Sequence, residues 1–379
     1  MAKLCRYPLF VLLLTSFLQL ILANLATTVV STVLRRTKPL NFVMSPQLLI
    51  ESIYPMYLGA SGETLREITQ FLQLRGKTKV QAVSDFERYR ITIARYMNIA
   101  MGLFTSDKVP LYDEYKNMLN HLLKTDYQTV DFTKPTLAAK AINEWVANNT
   151  KNHITELITR IPPSAQLMIF GALYFSGTLW LPYLRDINYT FFSNLFDGDE
   201  YKYTVNATIS RAYLPYYYIR AINSNIIAIP YTKGNLHLLI LMPLVPNDLQ
   251  SIEENLHKVK MADLKPPRGS TVLLELILPH FSIKTTQRYR NIFRYFNISG
   301  MLESSASLKP MAGHKKGVYL EDVTQKTEFT NKAAHSEAAS GRIGWTGNRN
   351  MPCVYVRHPF IFLVKDDYNI YLAGRVGYL

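Results

Sequence analysis

Past Gln166 the chain carries six short apolar runs rich in β-branched and aromatic residues: Leu167–Phe175, Ile226–Tyr231, Leu236–Met242, Val272–Leu278, Phe360–Val364 and Ile370–Leu372. Short continuous runs of this kind read as buried strands. The first third has a different texture. Pro46 follows Ser45 and suits a first helical position, with Leu48, Leu49, Ile53 and Met56 at helical spacing and Pro55 expected to kink the helix. Leu65, Ile68, Phe71 and Leu72 make a second amphipathic face, closed by Gly76. Pro135 opens a third helix whose pairs Leu137/Ala138, Ala141/Ile142 and Trp145/Val146 recur every four residues. Helices early and strands late predict an α+β fold with sizeable antiparallel sheets.

Composition narrows the class. The 379 residues are 48% hydrophobic and 18% charged, with no repeat, low-complexity block or linker dividing them, which is globular usage. Two cysteines, Cys5 and Cys353, exclude a disulfide framework and a multi-cysteine zinc site. Lys3 and Arg6 precede an apolar run from Leu9 to Leu22, followed by Ala23 and Ala26. The run is about 14 residues, where a membrane span needs about 20, so residues 1–25 read as a secretory signal and 26–379 as the exported domain, without a stable membrane anchor. Cleavage leaves Cys353 as the lone thiol. The formal charge of +14 falls to +12 with the loss of Lys3 and Arg6. Outside the cell that excludes nucleic acid as the expected partner and leaves a solvated basic surface or attraction to polyanions such as glycosaminoglycans. Lys77 with Lys79, and Lys315 with Lys316, are clusters too small to be a dense basic run. Asn148, Asn188, Asn206 and Asn297 each open an Asn-x-Ser/Thr triplet, and in a secreted chain at least one is expected to carry glycan.

Catalytic and cofactor motifs are missing. There is no Gly-x-Ser-x-Gly elbow, no His-Glu-x-x-His helix and no phosphate-cradling loop, and the eight histidines show no ligand spacing, so no metal or cofactor is expected. Gly341, Gly344 and Gly347 lie three apart, but no Lys-Ser/Thr follows them, and they read as an exposed loop.

Several segments resemble one family in order and spacing. They are Asn41-Phe-Val-Met-Ser-Pro46, Tyr57-Leu-Gly-Ala-Ser-Gly-Glu-Thr-Leu-Arg-Glu-Ile68, Ala172-Leu-Tyr-Phe-Ser-Gly177 with Trp180, Gly234-Asn-Leu236 leading to Met242-Pro243, and His358-Pro-Phe-Ile-Phe-Leu363. Together they are similar to the serpins, from about residue 26 to Gly374-Arg375-Val376. The resemblance implies a single α+β domain of three sheets with surrounding helices and an exposed reactive loop over about 333–353. It also implies a monomeric protease inhibitor and not an enzyme. In the family, a serine protease cleaves the loop, which then inserts as a strand into the main sheet while the protease is still acylated.

Asp322-Val-Thr-Gln-Lys326 resembles the segment entering that loop, and His335, Ser336, Glu337, Ala338, Ala339, Ser340 and Arg342 fall in the hinge. The family register puts the reactive bond at Arg349-Asn350. An arginine there suits the acidic specificity pocket of trypsin-like serine proteases. Four positions depart from the inhibitory pattern: His335 replaces a hinge glycine, Leu48 replaces a second serine after Ser45-Pro46, and Pro55 and Gly171 also differ. If Ser336 enters the sheet facing the core, period-two alternation also sends Arg342 inward, where an unpaired guanidinium is costly. A second class therefore stays open: a non-inhibitory secreted serpin acting as protease substrate, carrier or extracellular ligand. Secretion, the basic surface and the arginine also resemble insect serpins, including those of male accessory-gland secretions.

Overall fold

The computed structural model describes residues 25–84, 94–194, 200–313, 317–332 and 351–379. Two compact units arise from interleaved stretches of chain, one from residues 1–42, 177–282 and 330–379, the other from 43–176 and 283–329.

Among the described residues fourteen strands build two sheets. In the larger, β1 (Phe42–Met44), β14 (Ile370–Val376), β13 (Phe360–Lys365), β8 (His237–Pro243), β7 (Ser224–Pro230), β6 (Tyr201–Ile219), β9 (Thr271–Pro279) and β12 (Cys353–Tyr355) lie in that order, with β5 (Tyr183–Ser193) also paired to β6. The smaller has the order β10 (Ser282–Arg288), β11 (Leu320–Lys332), β4 (Leu167–Thr178), β2 (Asn98–Ser106) and β3 (Asp126–Val130). The expected three sheets are present as two because the 19-residue β6 is shared. Its Tyr216–Ile219 end pairs with β7, while Ala207–Pro215 pairs with β9, so one strand joins two sheets into one surface.

Every residue of β13 and β14 is buried, as their largely apolar sequences require, and the two charged exceptions are Lys365 and Arg375. The Asp366 carboxylate closes the turn between them, with Oδ1 accepting the Tyr368 and Asn369 amides at 2.7 Å each. In the same unit a helix over 25–36 buries Leu25, Ala26, Val29, Val30, Val33 and Leu34. Ser31 Oγ donates to the Glu253 carbonyl at 2.6 Å, and Arg375 pairs with the Glu253 carboxylate while donating to the Thr37 and Pro39 carbonyls. Among the described residues no helix is long and apolar enough to cross a membrane.

In the second unit the helix Pro135–Asn149 lays Ala138, Ile142, Trp145 and Val146 on Phe104 and Phe170. Gly102 makes that approach possible, because a Cβ there would stand 2.8 Å from the Trp145 ring. Pro55 divides its segment as expected. One helix spans Pro46–Ser52, Ile53 intervenes, and a second spans Tyr54–Gly59.

Two expectations need correction. The first third, where helical patterns dominate, also holds β1 and β2, and β3 begins at its end. Gly76 does not cap its helix: Gly62–Phe71 ends at Leu72, and Gly76 (φ 77°) serves a later turn that its positive φ explains.

Candidate functional site

The segment singled out by the sequence joins β11 of the smaller sheet to β12 of the larger one. The hinge and reactive-bond residues, His335, Ser336, Glu337, Ala338, Ala339, Ser340, Arg342, Arg349 and Asn350, lie outside the described residues, as do Gly341, Gly344, Gly347, Lys315 and Lys316. What the structure describes is how the segment is anchored at each end.

On the entry side β11 is a polar strand held in a dry setting. Asp322, Thr324, Gln325, Thr327 and Glu328 are all buried on it. An unpaired polar group in that setting costs about 1–3 kcal/mol, and of these five only Thr324 Oγ1 has no partner among the described residues. Asp322 takes Arg288 Nε at 2.6 Å and the Tyr289 and Arg290 amides at 3.1 and 2.8 Å. Burial pushes its carboxyl up from the ordinary value, and Arg288 acts against that. Glu328 pairs with Lys284 Nζ at 2.8 Å and lies 3.8 Å from Lys326 Nζ. Lys326 also donates to the Glu156 carbonyl at 2.5 Å, tying β11 to the stretch that follows the Pro135–Asn149 helix. Phe329 is fully buried and stacks on Phe175 of β4, ring centres 6.0 Å apart.

Gln325 is the most heavily engaged of these groups. Its Oε1 accepts the Ser45 amide at 3.0 Å and the Tyr289 hydroxyl at 3.0 Å, while its Nε2 donates to the Ser45 carbonyl at 3.1 Å. One side chain thus satisfies both backbone groups of the residue whose Oγ caps the Pro46–Ser52 helix through the Leu48 amide at 3.1 Å. Sequence reasoning missed Gln325 because nothing in the linear order brings an amide to Ser45.

On the exit side β12 runs parallel to β9, with Cys353 opposite Glu275 and Tyr355 opposite Ile277. The Glu275 amide donates to the Pro352 carbonyl at 3.0 Å, and its carboxylate holds Arg211 at 2.8 Å. Cys353 is exposed and forms no disulfide among the described residues, and its side-chain contact with the Tyr355 hydroxyl raises that group's pKa.

Leu48 and Gly171, read separately as departures, face each other. A Cβ on Gly171 would meet Leu48 Cδ2 at 3.1 Å and Cγ at 3.3 Å, and Leu48 is fully buried. Lys79 is structural: its ammonium donates to the Leu58 carbonyl at 2.9 Å over the Tyr57 ring, and burial lowers its pKa. The four sequon asparagines, Asn148, Asn188, Asn206 and Asn297, are all exposed.

One hydroxyl, carboxylate and imidazole do meet. Thr208 Oγ1 lies 2.7 Å from Asp186 Oδ1 and 2.7 Å from His280 Nε2. Both partners converge on the hydroxyl, so the carboxylate competes for the proton a base would remove, unlike a nucleophile–base–acid relay. Among the described residues no group of three or more His, Cys, Asp or Glu side chains could hold a metal ion.

Comparison with known proteins agrees with this architecture. The family model Serpin (serine protease inhibitor) matches residues 21–378, which takes in both compact units. Intracellular coagulation inhibitor 1 of Tachypleus tridentatus is 25% identical over 363 residues, covering 89% of this chain and 84% of the relative. Iripin-3 of Ixodes ricinus is 24% identical over 363 residues, covering 89% of this chain and 89% of the relative. Among solved structures, Manduca sexta Serpin-12 superposes with a TM-score of 0.78 at 19% identity, covering 94% of this chain and 98% of its own. Native protease nexin-1 with heparin gives 0.82 at 17% identity, covering 96% of this chain and 100% of its own. A single α+β domain with β11 and β12 at the two ends of the connecting segment, matched by the family model over nearly its whole length, belongs to the serpin family of non-enzymatic serine protease inhibitors.

Proposed function

We propose that this chain is a secreted, monomeric serpin that presents Arg349-Asn350 to trypsin-like serine proteases as a suicide substrate. The observation that carries the reading is the connection itself. Twenty residues, 333–352, separate β11 from β12, well beyond the few that most connections in a compact domain use. Both ends are fastened, at Gln325, Asp322 and Phe329 on one side and at Pro352 on the other. A segment of that length with fixed ends is what cleavage and insertion beside β11 demand.

Arginine before the scissile bond selects the protease class, since the acidic pocket of trypsin-like enzymes takes a long cationic side chain. Secretion is supported by the short apolar N-terminal run and by four sequons whose asparagines are exposed. The net charge supports attraction to glycosaminoglycans, and elution from immobilised heparin only at raised salt is the expected behaviour.

A non-inhibitory serpin is favoured by one observation. The Leu48–Gly171 contact fills, with close apolar packing, a place under β4 where the resemblance implies a second serine at position 48. One experiment separates the two readings. The protein is incubated with a panel of trypsin-like proteases, run on a denaturing gel, and its fragments weighed. A covalent adduct means an inhibitor; cleavage after Arg349 with no adduct means a substrate.

A further inference from the structure

Two of the four sequons stand directly opposite each other on one ladder. In the β5–β6 pairing Asn188 faces Asn206, flanked on the same face by Asp186 opposite Thr208 and by Thr190 opposite Thr204. The other face carries Ile187, Tyr189 and Ala207, packed in a small apolar cluster with Ile209 and Ile277. Both asparagines are exposed, and neither makes a side-chain hydrogen bond to another described residue.

The kind of pair follows from the backbone. The Asn206 carbonyl accepts the His280 amide at 2.9 Å, so the main-chain groups of Asn206 point toward the β9 side and away from β5. Asn188 and Asn206 are therefore a non-hydrogen-bonded pair, the closer of the two antiparallel types, with Cα atoms about 4.5 Å apart. Their side chains leave the sheet side by side, about 5 Å apart at Cβ. An N-acetylated pyranose on one amide covers the other.

We propose that Asn188 and Asn206 form a single glycosylation site, one glycan per molecule, with Asn188 as the carrier and Asn206 held in reserve. The proposal rests on the secretory reading given above. In the transfer, Asn188 Nδ2 bonds to the anomeric carbon of a lipid-pyrophosphate-linked oligosaccharide. The anomeric C–O bond breaks with its electron pair going to the pyrophosphate, and Nδ2 gives one proton to a base.

Chain order decides between the two. Asn188 leads Asn206 by 18 residues, which at about 5–20 residues per second gives it roughly 1–4 s alone. Once β6 follows, a hairpin closes in about 1–10 μs, placing Asn206 beside an asparagine that already carries sugar.

The test is glycopeptide mapping and intact mass of the full chain secreted from a eukaryotic cell line, as wild type, Asn188→Gln, Thr190→Ala and Asn206→Gln. The expected result is one glycan on the pair, on Asn188 in the wild type and in Asn206→Gln, and moved to Asn206 in both Asn188→Gln and Thr190→Ala. Molecules carrying both glycans, or an unoccupied Asn206 when the Asn188 sequon is destroyed, overturn the proposal. If that happens while Asn148 or Asn297 carries glycan, the secretory reading stands; no glycan at any of the four sites overturns both.

Discussion

Leu48 Cδ2 lies 3.1 Å from the point that a Cβ on Gly171 would occupy, so a leucine on the Pro46–Ser52 helix and a glycine on β4 fill one space between them. The two residues are complementary: a larger side chain on one side requires none on the other.

A double-mutant cycle checks that complementarity. Gly171→Ala overpacks the contact and is expected to destabilise by about 1–3 kcal/mol. Leu48→Ala opens a cavity at a cost of about 2–5 kcal/mol. The double variant must cost less than the two together, with a coupling of about 0.5–3 kcal/mol in chemical denaturation. Simple additivity contradicts the pairing.

Gln325→Leu removes an amide and strands two buried groups, the Ser45 amide and the Tyr289 hydroxyl, while the Ser45 carbonyl keeps the Leu49 amide at 3.2 Å. At about 1–3 kcal/mol for each unpaired group the expected loss is at least about 2 kcal/mol, read as a lowered denaturant midpoint. A shift under about 1 kcal/mol means that β11 is held by its ladder alone.

Lys365 gives a pH dependence. It is 3% exposed on β13, with Asp366, Asp367, Lys265 and His237 nearest in charge or register, and burial lowers its pKa from the ordinary 10.5 to about 8. Between those values the unfolded chain binds a proton that the folded one does not, so stability rises with pH through that window and is flat below it. The gain is about 2 kcal/mol by pH 9.5. Above pH 10 buried tyrosines such as Tyr217, whose ionisation burial raises, turn the trend downward. Denaturation at pH 7.5 and 9.5 should show the rise in the wild type and lose it in Lys365→Met.

On the proposed secretion, burial constrains where a signal could be cut. Leu25 and Ala26 are 3% and 1% exposed in the helix over 25–36, so cleavage after Leu25 or Ala26 would discard core side chains, at about 1.5–3 kcal/mol for the leucine alone. Cleavage after Ala23 keeps both. N-terminal sequencing of secreted protein is expected to begin at Asn24; a start at Thr27 contradicts the burial argument.

What the sequence made legible follows from which physical signal each element uses. The runs at 226–231, 236–242 and 360–364 were readable because strands buried on both faces must be apolar throughout. β11 carries no such signal, since its buried Asp322, Gln325 and Glu328 are made tolerable by Arg288, Ser45 and Lys284, partners that only folding assembles. β2 gives no continuous apolar run because Gly102 interrupts it, and the reason for that glycine is the Trp145 ring, 43 residues away. Leu48 and Gly171 were visible as two oddities, and their contact makes them one. The family itself was legible from its spaced motifs, which mark turns and helix starts such as Ser45-Pro46 that local chemistry dictates.

The partition between trapping and escape tests the account most directly. If Ser336 enters the sheet facing the core, period two puts Arg342 on the inward face as well, and if only about 2 kcal/mol of its desolvation reaches the insertion barrier, insertion slows roughly thirtyfold while acyl-enzyme hydrolysis is untouched. With a trypsin-like protease in limiting amount, the account predicts a cut after Arg349 and mostly cleaved protein beside a minor covalent adduct. Arg342→Thr with His335→Gly should shift that ratio toward adduct. Stoichiometric trapping by the unmodified chain contradicts the hinge argument, and a cut at any other bond contradicts the register.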